Sequence, residues 1–94
     1  MRNANPVLLV EDDAIDTMTV RRAFRDLKLN NPLAHATNGE EALAYLRNPA
    51  NDTPCLILLD LNMPRMNGVE LLRTVKADPV LRKIPIVVLT TSRD

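Results

Sequence analysis

Short, almost continuous apolar runs alternate along this chain with stretches whose apolar residues recur at helical spacing, and this alternation limits the possible folds most. Runs of strand length lie at Val7–Val10, Leu56–Leu59 and Pro85–Leu89, and a weaker one lies at Leu33–Thr37. Continuous apolar strands are typical of parallel sheets that are covered on both faces. The pattern therefore predicts an α/β fold with the element order β-α-β-α-β-α-β.

Three helices are predicted between these strands. The first runs from about Ala14 to Leu27, the second lies between Asn38–Gly39 and Asn48–Pro49, and the third begins beyond Gly68 and ends near Asp78–Pro79. Each carries apolar residues at the spacing of one helix face. These residues are Val20, Ala23, Phe24 and Leu27 in the first helix, Ala42, Tyr45 and Leu46 in the second, and Leu71, Leu72 and Val75 in the third.

Composition excludes some classes of partner. The chain has 94 residues with 12 basic and 12 acidic side chains, so no overall positive field favours nucleic acid or an anionic membrane. No apolar run is long enough for a signal-peptide core or a membrane span. We therefore expect one cytoplasmic domain over residues 1–94. The single cysteine, Cys55, has no partner for a disulfide or a zinc site, and its place at the start of an apolar run predicts a buried structural thiol.

Polar residues follow three predicted strands at their carboxyl ends, where sites of open parallel sheets form. Glu11 and Asp12 follow the first strand, Asp60 the third and Thr90 the fourth. Carboxylates a few ångström apart repel by about 3 kcal/mol per pair at an effective dielectric of ~20, so three of them require a cation. Mg²⁺ takes oxygen ligands and suits Asp12, Asp60 and the backbone carbonyl of Asn62, and Mn²⁺ can substitute. Such a pocket would accept a phosphoryl anion.

Most of these features also have an ordinary structural explanation. Acidic residues are favoured at helix N-termini, so the run Glu11–Asp13 could be only a cap on the first helix, and Asp13 fits that role. Thr90 could be a routine residue at a strand end, and Gly68 could serve a turn before the third helix. His35 has no metal-ligand spacing around it, which favours a surface or structural histidine.

Four motifs occur in order along the chain, at Leu9–Asp13, Leu58–Pro64, Met66–Gly68 and Ile84–Thr90. Together they resemble the successive signatures of response-regulator receiver domains. The resemblance implies a flavodoxin-like (CheY-like) parallel sheet, here with four strands in the order 2-1-3-4 and three helices. Within the family, the chain resembles the small single-domain regulators found beside phytochrome-type kinases.

The resemblance also implies a role for each residue of the acidic site. Asp60 would accept a phosphoryl group from a sensor histidine kinase in a two-component phosphorelay, so the chain would be a phosphoacceptor and not an enzyme. Asp12 would bind Mg²⁺ directly, Glu11 would act through a metal-bound water, and Asn62 would offer its backbone carbonyl. The Thr90 hydroxyl would be the switch that turns toward the phosphoryl group.

The chain ends before the family's fourth helix, fifth strand and fifth helix, so we expect a C-terminally truncated receiver. In the family, a lysine at the end of the fifth strand pairs with the phosphoryl group. Lys28, Lys76 and Lys83 are all predicted at the wrong edge of the sheet to replace it, and we therefore expect impaired phosphorylation. The fourth strand would be an exposed edge, which predicts a homodimer through that strand or by exchange of elements.

Two other functions fit parts of the pattern. A phosphatase of the haloacid dehalogenase type also uses an aspartate after a strand with Mg²⁺, but it needs a second acid two residues later, where this chain has Asn62. A non-signalling structural or dimerising fragment would retain the acid pocket without accepting phosphate. Phosphorylation of Asp60 by acetyl phosphate in the presence of Mg²⁺ separates the signalling role from the structural one.

Overall fold

Four strands form one parallel sheet in the computed structural model, which describes residues 5–61 and 68–89. They are β1 (Val7–Val10), β2 (Leu33–Ala36), β3 (Leu56–Asp60) and β4 (Ile86–Leu89). Their order in space is β2-β1-β3-β4, which confirms the predicted fold class. Because every neighbouring pair is parallel, the carboxyl ends of the strands meet at one edge of the sheet.

Two predicted strands are one residue shorter in the structure, for reasons that the backbone explains. β2 ends at Ala36 because the N–H and the hydroxyl of Thr37 both donate to the Glu41 carboxylate, each at 2.8 Å. β4 begins at Ile86, one residue after Pro85, which has no N–H to donate to a neighbouring strand. Side-chain chemistry at the strand ends therefore sets the limits of the sheet.

Three α-helices lie at the predicted positions. They are α1 (Ala14–Asp26), α2 (Gly39–Arg47) and α3 (Gly68–Ala77). A 3₁₀ turn at Leu81–Lys83, between α3 and β4, is an element that the apolar pattern does not predict. Within the described ranges, none of these helices is both long enough and apolar enough to cross a bilayer.

Side-chain caps begin the first two helices. The Asp13 carboxylate accepts hydrogen bonds from the backbone N–H groups of Ile15 at 2.8 Å and Asp16 at 3.0 Å. The Asn38 side-chain oxygen accepts one from the Glu41 N–H at 2.8 Å. These bonds satisfy N–H groups that have no partner inside a helix. The predicted capping role of Asp13 is confirmed.

The main core lies between the sheet and the layer formed by α2 and α3. Alternate residues of β1 and β3 enter it, because successive side chains of a strand point to opposite faces. Tyr45 and Leu46 of α2 and Leu72 of α3 pack against this core while remaining half-buried. Its buried members are Leu8, Val10, Ala36, Ala42, Leu43, Ile57, Leu59, Leu71, Val75, Leu81 and Ile84.

The predicted apolar face of α1 is only partly buried. Val20 and Phe24 are half-buried, but Ala23 is exposed and Leu27, which caps the helix, is 69% exposed. Thr17 is the one residue of α1 that is buried. Helical spacing shows which residues share a face of the helix. Burial also requires other residues to cover that face, and the described part of the chain covers this face of α1 only in part.

The prediction of a buried Cys55 is wrong, because the residue is exposed. It lies just before β3, and its N–H donates to the Pro6 carbonyl at 2.9 Å. Its Sγ lies 3.8 Å from the Asn5 carbonyl oxygen and 3.7 Å from the Asn31 side-chain nitrogen. The apolar strand begins one residue later, so Cys55 belongs to the polar loop at the amino-terminal edge of the sheet.

Candidate metal centre

Three carboxylates meet at the carboxyl ends of β1 and β3. The two strands are neighbours, with Val10 paired to Leu59, so the residues that follow them lie side by side. One carboxylate oxygen from each of Glu11, Asp12 and Asp60 lies within 4.8 Å of the other two. The side chains of Glu11 and Asp60 are 1% and 0% exposed, whereas Asp12 is exposed. The predicted convergence of acids is confirmed, and Asp60 is the last residue of β3 itself.

Glu11 is held by its own backbone and by the start of α1. Its N–H donates to the Ala36 carbonyl at 3.0 Å, and its carboxylate accepts the Asp13 N–H at 3.1 Å. Burial raises the pKa of Glu11 from 4.5 to about 7, the bond from Asp13 opposes this rise, and the neighbouring Asp60 adds to it. Ionising Glu11 beside Asp60 is therefore costly at neutral pH without a nearby cation.

Gly68 brings α3 against the end of β3. A Cβ atom at this position would lie 2.5 Å from the Leu61 Cα atom and 2.6 Å from the Asp60 carbonyl oxygen. Gly68 is also the first residue of α3, so it allows close packing of a helix on a strand end, whereas the predicted turn before α3 lies outside the described residues. The residue type is the only sequence signal for this contact, and it does not reveal what the glycine approaches.

His35 is exposed, as predicted for a surface histidine, yet its side chain reaches the site. Its Nε2 lies 2.7 Å from the carbonyl oxygen of Glu11 and 3.3 Å from the hydroxyl of Thr17. The prediction of a surface or structural residue is confirmed. Its contact with the acidic turn is not evident from the sequence, because that contact depends on the register of β1 and β2.

Two predicted site residues, Asn62 and Thr90, lie outside the described residues. The three lysines considered as substitutes for the family's lysine lie at the opposite edge of the sheet from the acids. Lys28 follows α1, Lys76 lies in the last turn of α3, and Lys83 precedes β4. All three positions are on the side of the sheet where the strands begin, which confirms their predicted place.

The geometry of the acids fits a divalent cation. Among the residues that the structure describes, the cluster offers carboxylate oxygens and no histidine nitrogen or cysteine sulfur, and this donor set suits Mg²⁺ or Mn²⁺ better than zinc. Asp12 is exposed while Glu11 and Asp60 are buried, so the site opens to solvent on one side. A cation there could keep water ligands or accept phosphate oxygens.

Comparison with known protein families identifies the chain. The family model described as the response regulator receiver domain matches residues 7–94. This chain belongs to the receiver-domain family. A curated relative, the response regulator Rcp1 of Synechocystis sp., is 38% identical over 92 residues, which cover 94% of this chain and 63% of that protein. The chain therefore spans less than two thirds of the length of this receiver-domain relative.

Solved receiver-domain structures share the fold. The bacteriophytochrome response regulator AtBRR has a TM-score of 0.90 at 40% identity, covering 98% of this chain and 70% of that one. The phosphorylated cyanobacterial phytochrome response regulator RcpA has a TM-score of 0.87 at 37% identity, covering 99% and 69%. The Mn²⁺-bound form of Rcp1 has a TM-score of 0.84 at 38% identity, covering 94% and 66%. These similarities confirm the predicted family and its flavodoxin-like fold.

Proposed function

We propose that this receiver domain, residues 1–94, is a phosphoacceptor of two-component signalling and that Asp60 receives the phosphoryl group. The observation that carries the proposal is the convergence of Glu11, Asp12 and Asp60 within 4.8 Å at the carboxyl edge of the sheet. A phosphorylated relative and an Mn²⁺-bound relative support it. The domain would modify itself and would not turn over a separate substrate.

The transfer is a displacement at phosphorus. A carboxylate oxygen of Asp60 forms the new P–O bond while the P–N bond to the donor imidazole breaks, and the imidazole nitrogen keeps the electron pair and takes up a proton. Asp60 is fully buried at the end of β3, which pairs with a strand on each side, so its oxygens have little freedom to move. Such positioning, together with charge neutralisation, supplies most of the catalysis in phosphoryl transfer.

The acids around Asp60 would hold Mg²⁺, with Mn²⁺ as a substitute. We assign Asp12 and Asp60 as direct ligands, Glu11 as a ligand through water, and the backbone carbonyl of Asn62 as a further ligand. When bound, the cation would neutralise the carboxylates and the charge on the transferring phosphoryl group. Thr90 would follow the modification through a hydrogen bond from its hydroxyl to a phosphoryl oxygen.

The donor would be a sensor histidine kinase of the phytochrome type. This proposal is supported by the similarity to regulators whose names link them to phytochromes. We place the reaction in the cytoplasm. The competing hypothesis, a structural fragment that retains the acid pocket, differs from this one only in whether Asp60 is modified.

Incubation with acetyl phosphate and Mg²⁺, followed by intact-mass spectrometry, tests the proposal. Over a long incubation the parent protein should gain one phosphoryl group, even at the impaired rate expected from the sequence, and Asp60→Asn should gain none. Asp52→Asn is a matched control, because it removes an exposed aspartate from the loop before β3. Equal labelling of Asp60→Asn and the parent would show that the acceptor is misassigned, and an unlabelled parent that still binds Mn²⁺ would favour the structural fragment.

We also propose that the chain forms a homodimer through β4 or by exchange of elements. β4 is the last strand of the described sheet, and its Val87 and Val88 are 47% and 39% exposed on opposite faces. A strand with two exposed apolar faces is a template for pairing with another chain. Edge pairing about a two-fold axis would give one continuous sheet.

Sedimentation over a concentration series tests this association. Val87→Lys should shift the protein toward monomer, whereas Val80→Lys, which places the same charge at an exposed valine outside the sheet, should not. A folded monomer at tens of micromolar would contradict the proposal. Dissociation by both variants would show that added charge alone is responsible.

A further inference from the structure

We propose that His35 is a positioning residue that holds the turn presenting Glu11 and Asp12. This inference rests on the proposed function of the acidic site and adds a residue from a different strand to it. His35 lies on β2, opposite Leu9 of β1 in the parallel register. From there its ring extends past the end of β1 to the turn between β1 and α1.

The chemistry of the partners defines the direction of the hydrogen bonds. The Glu11 carbonyl oxygen can only accept, so at 2.7 Å the Nε2 atom of His35 must carry the hydrogen. The Thr17 hydroxyl donates its own hydrogen to the Asp13 carbonyl at 2.9 Å. The hydroxyl oxygen can therefore only accept from Nε2, in a second and longer hydrogen bond of 3.3 Å. One ring nitrogen thus bridges the turn and the first part of α1.

The accepting carbonyl is the reason that this bond matters for the site. It belongs to the peptide group that joins Glu11 to Asp12, so its direction sets the direction in which Asp12 leaves the strand. Asp12 is exposed, and packing therefore does little to orient its side chain. A hydrogen bond to the preceding carbonyl restricts the backbone from which that carboxylate projects.

β2 holds both backbone groups of Glu11. The N–H of Glu11 donates to the Ala36 carbonyl at 3.0 Å, and its carbonyl accepts from the neighbouring His35 side chain. The first bond continues the sheet, but the second comes from a side chain and can be removed without altering the strand pairing. Loss of the imidazole would remove the bond to the peptide between Glu11 and Asp12, whereas the preceding peptide, which carries the Glu11 N–H, would keep its bond to Ala36.

Two substitutions separate the hydrogen bond from other effects of the ring. His35→Leu removes the donor, and His35→Gln places an amide nitrogen near the position of Nε2 and keeps a donor. Thr37→Ala is a matched control, because it removes a side-chain hydrogen bond at the same end of β2 whose partner, Glu41, lies outside the site. All three changes are at exposed positions, which limits their effect on folding.

The first measurement is amide hydrogen exchange without metal. The Asp13 N–H, bonded to the Glu11 carboxylate, should exchange faster in His35→Leu than in the parent, His35→Gln or Thr37→Ala. The second is Mn²⁺ affinity by calorimetry. His35→Leu should weaken Mn²⁺ binding roughly tenfold, as expected when the group that orients a metal ligand is lost, while His35→Gln and Thr37→Ala should stay near the parent.

Unchanged Asp13 exchange in His35→Leu would overturn the inference, and so would unchanged Mn²⁺ affinity or an equal loss in Thr37→Ala. A loss of affinity in His35→Gln equal to that in His35→Leu would show that the hydrogen bond is not the cause. Failure of the proposed metal site, on which this inference rests, has a different signature. In that case the parent would bind Mn²⁺ no better than Asp12→Asn, whatever residue is present at position 35.

Discussion

Replacing Glu11 by glutamine should stabilise the metal-free protein at pH 8. The substitution retains the size of the side chain and an oxygen that can accept the Asp13 N–H, which lies 3.1 Å from the Glu11 carboxylate. It removes a negative charge that is almost completely buried beside Asp60. Without metal, the variant would then hold no ionised side chain at position 11.

The pKa of Glu11 gives the magnitude of this effect and its direction with pH. A rise in pKa from 4.5 to about 7 corresponds to about 3 kcal/mol in favour of the protonated form of the folded protein. The stability linked to this proton is fully present below about pH 4.5 and is lost as pH rises through about 7. The advantage of Glu11→Gln should therefore be small at pH 5 and approach at most about 3 kcal/mol at pH 8.

Urea unfolding between pH 5 and 8, at one protein concentration and with a chelator present, measures this difference in the free energy of unfolding. Glu40→Gln is the control, since it removes an exposed glutamate from the first turn of α2. Added Mg²⁺ should stabilise the parent more than Glu11→Gln. A difference between Glu11→Gln and the parent that does not change with pH, or a less stable variant at pH 8, would refute the reasoning.

Three further predictions concern positions around the site and the sheet edge. Gly68→Ala should lower the free energy of unfolding by about 2 kcal/mol, because its Cβ would overlap backbone atoms of Asp60 and Leu61; unchanged urea unfolding would mean that α3 can move away freely. Asp13→Ala should lower the free energy of unfolding by about 1 kcal/mol through loss of the cap on α1. A change no larger than that of Asp52→Ala would contradict the capping role of Asp13. Cys55 should react with a thiol reagent in the folded protein at a rate close to that in urea, and strong protection in the folded state would contradict its exposed position.

The features predicted well are those that depend on neighbouring residues along the chain. β1 and β3 were found because a strand covered on both faces must be apolar throughout, and the parallel order then placed Asp60 beside Glu11 and Asp12. The cap at Asp13 is equally local, because its partners are two and three residues away. The convergence of Asp60 with Glu11 and Asp12 is a long-range exception, and it is predictable because the carboxyl ends of parallel strands meet at one edge of the sheet. In the other successes, the physical cause and its effect lie within one or two turns of backbone.

The features predicted poorly depend on which distant elements meet. Leu27 has the right spacing for a buried face, yet it is exposed because burial requires a covering layer. Cys55 borders an apolar run but lies in the loop that precedes the strand. The contact of His35 with the Glu11 carbonyl follows from the register between β1 and β2, and no local pattern predicts that register.

The close approach at Gly68 also has a mechanical consequence. At position 68 the start of α3 lies against the backbone of Asp60 and Leu61, with the end of the Leu61 side chain beside it. Because most of this contact is backbone against backbone, a displacement of the peptide that follows Asp60 would push on the first turn of α3. That helix packs through Leu71 and Val75 into the same core as α2, so strain generated at Asp60 would spread as movement of a whole helical layer.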